Sequence, residues 1–424
     1  MKRILLTAVL LLIAMSAAAQ RRQIDSLKAV LSTARDTMRV KALYQLCFYY
    51  GQDSRPDSAL QYGKDAIRLA EQQGYTRGLA TAYRTLGFMY YARGDFFMAA
   101  TYLKESLPLW KKLGDDRMYG GASDLVGQAY ARLGQYPQAL EYSYQALQVI
   151  QKLGDKQQEA NIINTLAVIY YEENNYFKAL ELNFKAMGIR RSLNDERGIA
   201  DSYMNLGNVY QDRHQNVMAA QHYEEALVRY TRMGYKGGMA DCYNNLGLAY
   251  LELKNYEQAL GYFRKFLDLG KELNNLPSVI LANANLAEVY SKMGRHTEAE
   301  THLVEAERLL EQVKDPKLST AVLIKSSYVY ERAGKFPLAI KALRAYVTQV
   351  DSSYQKERSA QIYELQARYE TQQKEQKIRD LEHQSELDET RSGAFRIFIF
   401  LTVGLLVVML GVGFYFYRRM RLRM

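Results

Sequence analysis

A tyrosine-centred pattern with a strict 40-residue period constrains this chain more than any other feature of its sequence. In one copy, Leu206-Gly207 is followed by Tyr210 and then by Ala219, and the frame returns without insertion or deletion. The tyrosines of the eight copies are Tyr50, Tyr90, Tyr130, Tyr170, Tyr210, Tyr250, Tyr290 and Tyr330. A strict period of this length is typical of a solenoid, in which each unit buries its apolar face only against its neighbours. The sequence therefore predicts a stacked scaffold rather than the core of a globular enzyme.

Each copy contains two apolar stripes with helical spacing. In one copy, Tyr203 and Tyr210 belong to the first stripe, a polar break follows at 214–216, and Tyr223 and Leu227 belong to the second. Small residues in both stripes would let the paired helices approach closely. They are Gly87, Gly127, Ala167, Gly207 and Gly247 in the first helix, and Ala99, Ala139, Ala179, Ala219, Ala259, Ala299 and Ala339 in the second.

Glycine and asparagine mark the predicted turns. Gly114 and Asn194 each follow a leucine at the end of a copy, and these residue types suit the left-handed residue that ends a helix. The pairs Gly120-Gly121 and Gly237-Gly238 are also assigned to turns between repeats, because turn geometry explains paired glycines.

This arrangement resembles the tetratricopeptide repeat, in a 40-residue version with longer helices than the common form of about 34 residues. The resemblance covers residues 36–350 and implies an all-α, right-handed superhelical solenoid of eight helix-turn-helix repeats. An N-terminal capping helix is expected at residues 20–35. In this family the first helix of each repeat lines a concave groove that takes peptides.

The positions that match this groove carry polar side chains, and we expect them to bind a protein or peptide ligand. Asparagine can donate to and accept from a peptide backbone at once, and the acids favour a basic segment. The candidate residues are Asn161, Asn164, Tyr171, Asp201, Asn208, Gln211, Asp241, Asn244 and Glu252. A solvated helix face is polar by default, which is the alternative interpretation. Asn205, Asn245 and Asn285, which precede the leucine, are instead assigned to packing between repeats.

Two apolar segments bracket the repeats and predict export and membrane insertion. Residues 1–19 combine Lys2-Arg3, a short apolar run and small residues near the end, as a signal peptide does. The uncharged run 397–417 is about long enough for a spanning helix, which is predicted at 394–417. Arginines in the stub 418–424 place the C-terminus in the cytoplasm by the positive-inside rule. The expected localisation is the bacterial inner membrane, single-pass, with the solenoid in the periplasm.

The segment 351–393, between the repeats and the predicted membrane helix, is expected to form a coiled-coil linker. Charges of both signs are mixed there, and a short heptad seam around Leu365 is resumed out of phase around Leu381. These features predict a homodimer through residues 351–417. A single exposed helix without a partner is the alternative.

Composition and motifs give no indication of catalysis, of a cofactor or metal, or of nucleic-acid binding. The formal charge of +10 includes +6 from two N-terminal basic residues and the four terminal arginines, so the repeats are close to balanced. None of the five histidines forms a metal-binding motif, and His222 and His302, at equivalent repeat positions, are assigned to the polar surface. Cys47 and Cys242 lie too many repeats apart for a disulfide and are expected to be buried. The chain is therefore expected not to be an enzyme.

The whole layout resembles the extracytoplasmic sensor half of bacterial tetratricopeptide-containing sensor histidine kinases. The resemblance rests on Asp25-Ser26-Leu27 near the start and on the stretch 363–376, and it implies a two-component-type receptor that signals through the coiled coil and the membrane helix. No phosphoacceptor-histidine box or ATP-binding domain is present, so kinase activity would require the gene to continue past residue 424. The alternatives are a membrane-tethered assembly scaffold without transmembrane signalling, or the sensor fragment of a longer histidine kinase or DNA-binding regulator.

Overall fold

The computed structural model describes residues 22–33, 36–52 and 56–351, together with the single positions 377, 409 and 413. The continuous described ranges form seventeen α-helices and no β-strand. All seventeen belong to the first of two compact units, Met1–Ser352, and the second unit is Ser353–Met424. The all-helical repeat architecture expected from the sequence is confirmed, and its right-handed superhelical sense stays a prediction.

Sixteen of these helices form eight consecutive pairs that follow α1, which occupies residues 22–33 within the predicted capping segment. The pairs are α2 (Asp36–Gln52) and α3 (Pro56–Gln72), α4 (Thr76–Arg93) and α5 (Phe96–Lys112), α6 (Asp116–Arg132) and α7 (Tyr136–Leu153), α8 (Lys156–Glu172) and α9 (Tyr176–Ser192), α10 (Glu196–Asp212) and α11 (Asn216–Met233), α12 (Lys236–Glu252) and α13 (Tyr256–Glu272), α14 (Leu276–Lys292) and α15 (His296–Leu310), and α16 (Pro316–Arg332) and α17 (336–351). The frame tyrosine lies in the first helix of each pair and the frame alanine in the second.

A left-handed residue ends nearly every helix, and it recurs at every twentieth position rather than at every fortieth. From Gly74 to Gly334, each twentieth position except 314 has φ between 50° and 85°. Gly94 shows the arrangement: its N–H donates to the carbonyl of Tyr91 at 3.0 Å, and the N–H of Asp95 donates to that of Tyr90 at 3.0 Å. This pair of bonds is the Schellman motif, which satisfies carbonyls that the helix leaves free.

The same short turn begins the next helix. The Asp95 side chain accepts a hydrogen bond from the backbone N–H of Met98 at 3.1 Å, as an N-cap does. Asp or Asn occupies this position and caps the following helix in eight turns. These caps are Asp95, Asp115, Asp155, Asn175, Asp195, Asn255, Asn275 and Asp315. One pair of residues thus terminates one helix and starts its neighbour, which keeps the helices in register along the stack.

Small residues behind the frame leucine allow the close helix approach that the sequence predicts. A Cβ added at Gly247 would lie 2.4 Å from the ring of Phe263, and one added at Gly207 would lie 2.4 Å from the ring of Tyr223. Both rings are fully buried. The glycines therefore provide the space that these large side chains fill.

Six of the eight frame tyrosines stack on the ring twelve positions later, in the second helix of the same repeat. The ring stacks are Tyr50–Tyr62, Tyr90–Tyr102, Tyr130–Tyr142, Tyr210–His222, Tyr250–Tyr262 and Tyr290–His302, with centroids 5.0–5.7 Å apart. The assignment of His222 and His302 to the polar surface is therefore wrong, because both imidazoles replace a tyrosine ring in this stack. Burial lowers the pKa of both histidines.

The paired glycines are not in turns. Gly120-Gly121 lies in α6 and Gly237-Gly238 in α12. A Cβ at Gly120 would meet Ile150 of the same repeat at 2.8 Å, and one at Gly238 would meet Tyr230 of the preceding repeat at 2.7 Å, so Gly120 and Gly238 are close-packing positions. The expectation for Cys47 and Cys242 is confirmed, because both are buried and neither forms a disulfide.

The membrane assignment is corrected. The predicted signal peptide, cytoplasmic stub and nearly all of the coiled-coil linker and membrane helix lie outside the described residues, as does most of the predicted dimer segment 351–417. Among the residues that are described, no helix has both the length and the apolar composition needed to cross a bilayer. Localisation as a single-pass protein of the bacterial inner membrane is therefore not supported.

Replacing Gly247 with alanine should lower the free energy of unfolding by about 1–3 kcal/mol, because the new methyl group would overlap the Phe263 ring. The matched control is Gly261→Ala in α13, where nothing lies within 4 Å of the added Cβ. This control should raise stability by about 0.5–1 kcal/mol through helix propensity alone. Urea denaturation followed by circular dichroism measures both, and equal effects would contradict the packing argument.

Replacing Lys254 with glycine should raise the free energy of unfolding by about 0.5–1 kcal/mol, because Lys254 holds φ at 59° and a side chain makes this conformation costly. The reverse change at an equivalent turn, Gly134→Lys, should lower stability by about 1 kcal/mol. The midpoints of urea denaturation report both changes. A Lys254→Gly variant less stable than the natural chain would show that the left-handed residue is not a constraint there.

Candidate functional site

The first helices of neighbouring repeats contact one another, and their exposed side is the surface on which the predicted binding residues fall. We call this side of α4, α6, α8, α10 and α12 the inner surface. α8 carries Asn161, Asn164 and Tyr171, α10 carries Asp201, Asn208 and Gln211, and α12 carries Asp241, Asn244 and Glu252. All nine candidates thus lie on three adjacent first helices. Ligand contact by them stays a prediction.

Asparagine amides connect neighbouring repeats along this surface. The donor–acceptor pairs are Asn205 to Asn164 (2.9 Å), Asn245 to Asn208 (3.2 Å) and Asn285 to Asn244 (2.9 Å). The packing role expected for Asn205, Asn245 and Asn285 is therefore confirmed. Their partners are three of the predicted binding residues, so part of the hydrogen-bonding capacity of those amides is used within the protein.

Buried tyrosines hold other candidates in place. The Tyr230 hydroxyl donates to Asp201 Oδ1 at 2.6 Å, and the Tyr223 hydroxyl lies 2.8 Å from both Asn208 Oδ1 and Gln211 Oε1. Burial raises the pKa of both tyrosines, so their hydroxyls remain protonated donors. The inner surface of α10 is therefore largely satisfied by its own repeat.

The remaining candidates have different surroundings. The Tyr171 hydroxyl donates to Asp212 Oδ2 at 2.5 Å. Asp241 and Glu252 are both exposed, and partial desolvation raises the pKa of Asp241. These three side chains are not brought together into one cluster by any contact among the described residues.

Two adjoining cavities open on the inner surface in the N-terminal half of the stack. The first, which we call the Arg84 cavity, has a volume of about 420 Å³ and is lined from α2, α4, α6 and α8 by Phe48, Arg84, Phe88, Asp124, Gln158 and Asn161, among others. The second, the Arg190 cavity, has a volume of about 320 Å³ and is lined by Asp124, Gln128, Asn161, Asn164, Thr165 and Arg190, among others. Both volumes are at the lower end of those of ligand-binding clefts. The structure brings two predicted residues, Asn161 and Asn164, to these cavities.

Asp124 lies between the two cavities and is 8% exposed. Its Oδ2 accepts from Gln128 Nε2 at 2.8 Å and from Thr165 Oγ1 at 3.3 Å, but its Oδ1 is buried without a hydrogen-bond partner. Burial raises the pKa of the Asp124 carboxyl to about 7. The two hydrogen bonds lower this pKa, but their effect is smaller than that of burial. The group can therefore be neutral or charged near physiological pH, depending on what approaches it.

Arg84 lines the first cavity from α4, and no counter-ion for it lies among the described residues. Its Nε is buried and has no hydrogen-bond partner, and burial alone lowers the pKa of the guanidinium. Asp124 lines the same cavity, but no ion pair joins the two residues among the described contacts. A half-buried arginine without a carboxylate partner is costly, because a charge taken out of water needs compensation.

Arg190 is the buried cation of the second cavity, at 4% exposure. Its guanidinium donates to the Gly198 carbonyl at 2.9 Å, to Ser202 Oγ at 2.8 Å and more weakly to Asn164 Oδ1 at 3.3 Å. These bonds connect α9 to α10 and α8. Arg190 therefore organises the protein itself, whereas Arg84 does not.

The sequence analysis missed Arg84, Asp124 and Arg190. One signal in the sequence could have found two of them. Arg84 and Asp124 occupy, in the two preceding repeats, the same position that the predicted binding residue Asn164 occupies in its own repeat. The prediction began at α8 and left out the equivalent positions of α4 and α6.

Among the described residues, no group of three His, Cys, Asp or Glu side chains could hold a metal ion. The chemistry that the cavities offer is hydrogen bonding and charge pairing. The expectations that the chain needs no cofactor and is not an enzyme stay predictions.

Comparison with known proteins establishes the family. The tetratricopeptide repeat profile matches residues 38–117, 121–192 and 198–272, which is more than half of the chain. The chain therefore belongs to the tetratricopeptide repeat family. No curated protein sequence matches it. The narrower resemblance to sensor histidine kinases stays a prediction.

Several solved structures share the fold. The apo form of RapI is similar over 82% of this chain and 99% of its own, at 16% identity and a TM-score of 0.60. A Rap protein complexed with Competence and Sporulation Factor covers 82% and 99%, at 13% identity and a TM-score of 0.56. The apo quorum sensor NprR from B. thuringiensis covers 80% and 95%, at 14% identity and a TM-score of 0.56. At these identities the likeness shows the fold alone.

Replacing Asp124 with asparagine should change how stability depends on pH. The folded pKa of about 7 lies above the usual value of about 3.9, so the protonated carboxyl contributes stability that is fully present below about pH 4 and is lost as the pH rises through 7. The stability of the natural chain relative to Asp124→Asn should therefore fall by on the order of 1 kcal/mol per pH unit between about 4 and 7. Urea denaturation at several pH values measures this difference. Parallel profiles would contradict the raised pKa, since His222, His302 and all other groups titrate in both proteins.

Proposed function

We propose that the inner surface binds an extended peptide, either free or as a segment of a partner protein, and that the chain acts as the ligand-binding domain of a signalling receptor. The observation that carries this proposal is the Arg84 cavity on the inner surface, which holds a partly buried guanidinium with no ion pair among the described residues, two exposed phenylalanine rings and the exposed Asn161 amide. Taking a charge partly out of water is costly unless it is compensated, and an anionic group of a ligand would compensate it.

A peptide suits this surface because its backbone offers donors and acceptors at regular intervals. Asp124 and Gln158 present acceptors, Arg84 presents donors, and Asn161 can serve as both. The fold relatives support the same class of ligand: one Rap structure is a complex with Competence and Sporulation Factor, and NprR is a quorum sensor. The extension from those proteins to this chain is part of the proposal.

Signalling would use the way in which repeats stack. Each repeat contacts only its neighbours, so a ligand that spans α4, α6 and α8 adds contacts among three consecutive repeats and favours one arrangement of them. A static assembly scaffold is the alternative, and it would bind its partner without any change in repeat packing.

Peptides that carry a photoreactive side chain and are selected from a random library against the full chain should crosslink to the first helices α4, α6, α8, α10 and α12. They should not crosslink to the second helices. Asn161→Ala should weaken their binding about fivefold, because one hydrogen bond is worth about 1 kcal/mol. The matched control, Gln148→Ala, alters an exposed side chain of the second helix α7 and should leave affinity unchanged.

Hydrogen exchange on the complex separates the two functions. A receptor should show altered protection in repeats that the peptide does not contact, whereas a scaffold should show it at the contact alone. Absence of peptide binding, or crosslinks confined to the second helices, would contradict the proposal.

A further inference from the structure

The Arg84 cavity combines one unpaired cation with two aromatic side chains. Phe48 of α2 and Phe88 of α4 both line it, and each ring is 38% exposed and so accessible to a ligand. Arg84 lies one helical turn before Phe88 on the same helix. A guanidinium and an apolar surface therefore face the same space.

The opposite wall of the cavity carries amide and carboxyl groups. Asp124 and Gln128 come from α6, and Gln158 and the exposed Asn161 come from α8. The side chain of Asp124 is more than nine-tenths buried. The cavity therefore favours a molecule that brings an acceptor to Arg84 on α4 and groups that hydrogen-bond to amides on α6 and α8.

We infer that the Arg84 cavity is the specificity pocket of the inner surface and binds a carboxylate that stands next to an apolar residue in a peptide. The carboxylate pairs with Arg84, the apolar side chain packs on Phe48 and Phe88, and the peptide backbone hydrogen-bonds to the exposed Asn161 amide. This assignment rests on the proposed peptide-binding function and names the peptide class. It differs from the basic segment that the acids of α10 and α12 favour.

A carboxylate fits better than a phosphate group. Arg84 is the one cation without a partner that lines this cavity, since the cavity's other described lining residues carry no positive charge. A dianion would have to approach the Asp124 carboxyl with a single guanidinium to balance it, and like charges in a partly buried site repel strongly. A monoanionic carboxylate is matched by one guanidinium, which can bind both of its oxygens.

The test uses synthetic Gly/Ser peptides and the full chain, with affinity measured by fluorescence anisotropy. One peptide carries Glu-Leu at its centre, and matched peptides carry Gln-Leu or Glu-Gly. A further pair ends in Leu with either a free carboxylate or a carboxamide, so that a side-chain carboxylate is distinguished from a terminal one. Binding should be at least about tenfold tighter with a carboxylate and an adjacent leucine than without either.

Variants of the chain assign the effect to the cavity. Arg84→Gln should remove the preference for the carboxylate, Arg84→Lys should retain part of it, and Phe88→Ala should remove the preference for leucine. The control, Arg68→Gln, changes an arginine on α3 that is exposed and pairs with Asp65, and it should bind as the natural chain does. Arg84→Gln should also raise the melting temperature, because it removes a half-buried charge without a partner, whereas a structural arginine would lower it when replaced.

The outcomes separate this inference from the proposed function. Two results would overturn the inference and leave peptide binding in place. In the first, peptides selected from a random library bind Arg84→Gln as tightly as they bind the natural chain. In the second, the Glu-Leu and Gln-Leu peptides bind the natural chain equally well. A lower melting temperature for Arg84→Gln would also overturn it. Failure of every peptide, selected or designed, to bind would overturn both.

Discussion

The left-handed residue at nearly every twentieth position is the constraint on which the rest of this structure depends. Each helix is followed by a very short turn, and the Schellman bonds of one helix lead directly into the N-cap of the next. Because the turn is so short, consecutive helices must pack against each other. All first helices then lie on one side of the stack, and any side chain that recurs at the same repeat position forms a row on that side. The inner surface and its cavities follow from this geometry.

The sequence predicted the repeats well because their signal is redundant. The tyrosine, the small residue and the alanine each recur in nearly every copy, so a weak copy is corrected by its neighbours. Two predictions failed for the same reason: Gly120-Gly121 and His222 were interpreted by residue type instead of repeat position. Paired glycines suggest a turn and histidine suggests a polar surface, yet position 222 is equivalent to Tyr102 and Tyr142, which already indicated a ring in the stack.

The site was predicted less completely because its distinctive property is the absence of partners. The polar character of Asn161 and Asn164 can be read from the sequence, and both line the cavities. The hydrogen bonding of each arginine cannot be predicted from the sequence, because it depends on which groups the neighbouring helices bring within about 3 Å. Arg190 reaches the Gly198 carbonyl and Ser202, whereas Arg84 has no counter-ion among the described residues. A pattern of residue types gives the position of a charge in the repeat but not its surroundings.

The two halves of the inner surface are therefore chemically different although their backbones repeat. In α12 and α14, asparagines at equivalent positions donate to an asparagine of the preceding repeat, and tyrosines satisfy Asp201 and Asn208, so this half uses these polar groups to hold the stack together. In α4 and α6 the equivalent asparagine positions are Thr85 and Leu125, which cannot form those amide bridges. The groups next to them, Arg84 and Asp124, remain without full partners among the described residues, while the apolar side of the same helices is as buried as in the other repeats, as at Leu86 and Val126. A repeat stack can tolerate this arrangement because each interface contributes separately, so a few repeats can retain unsatisfied groups for a ligand while their neighbours maintain the fold.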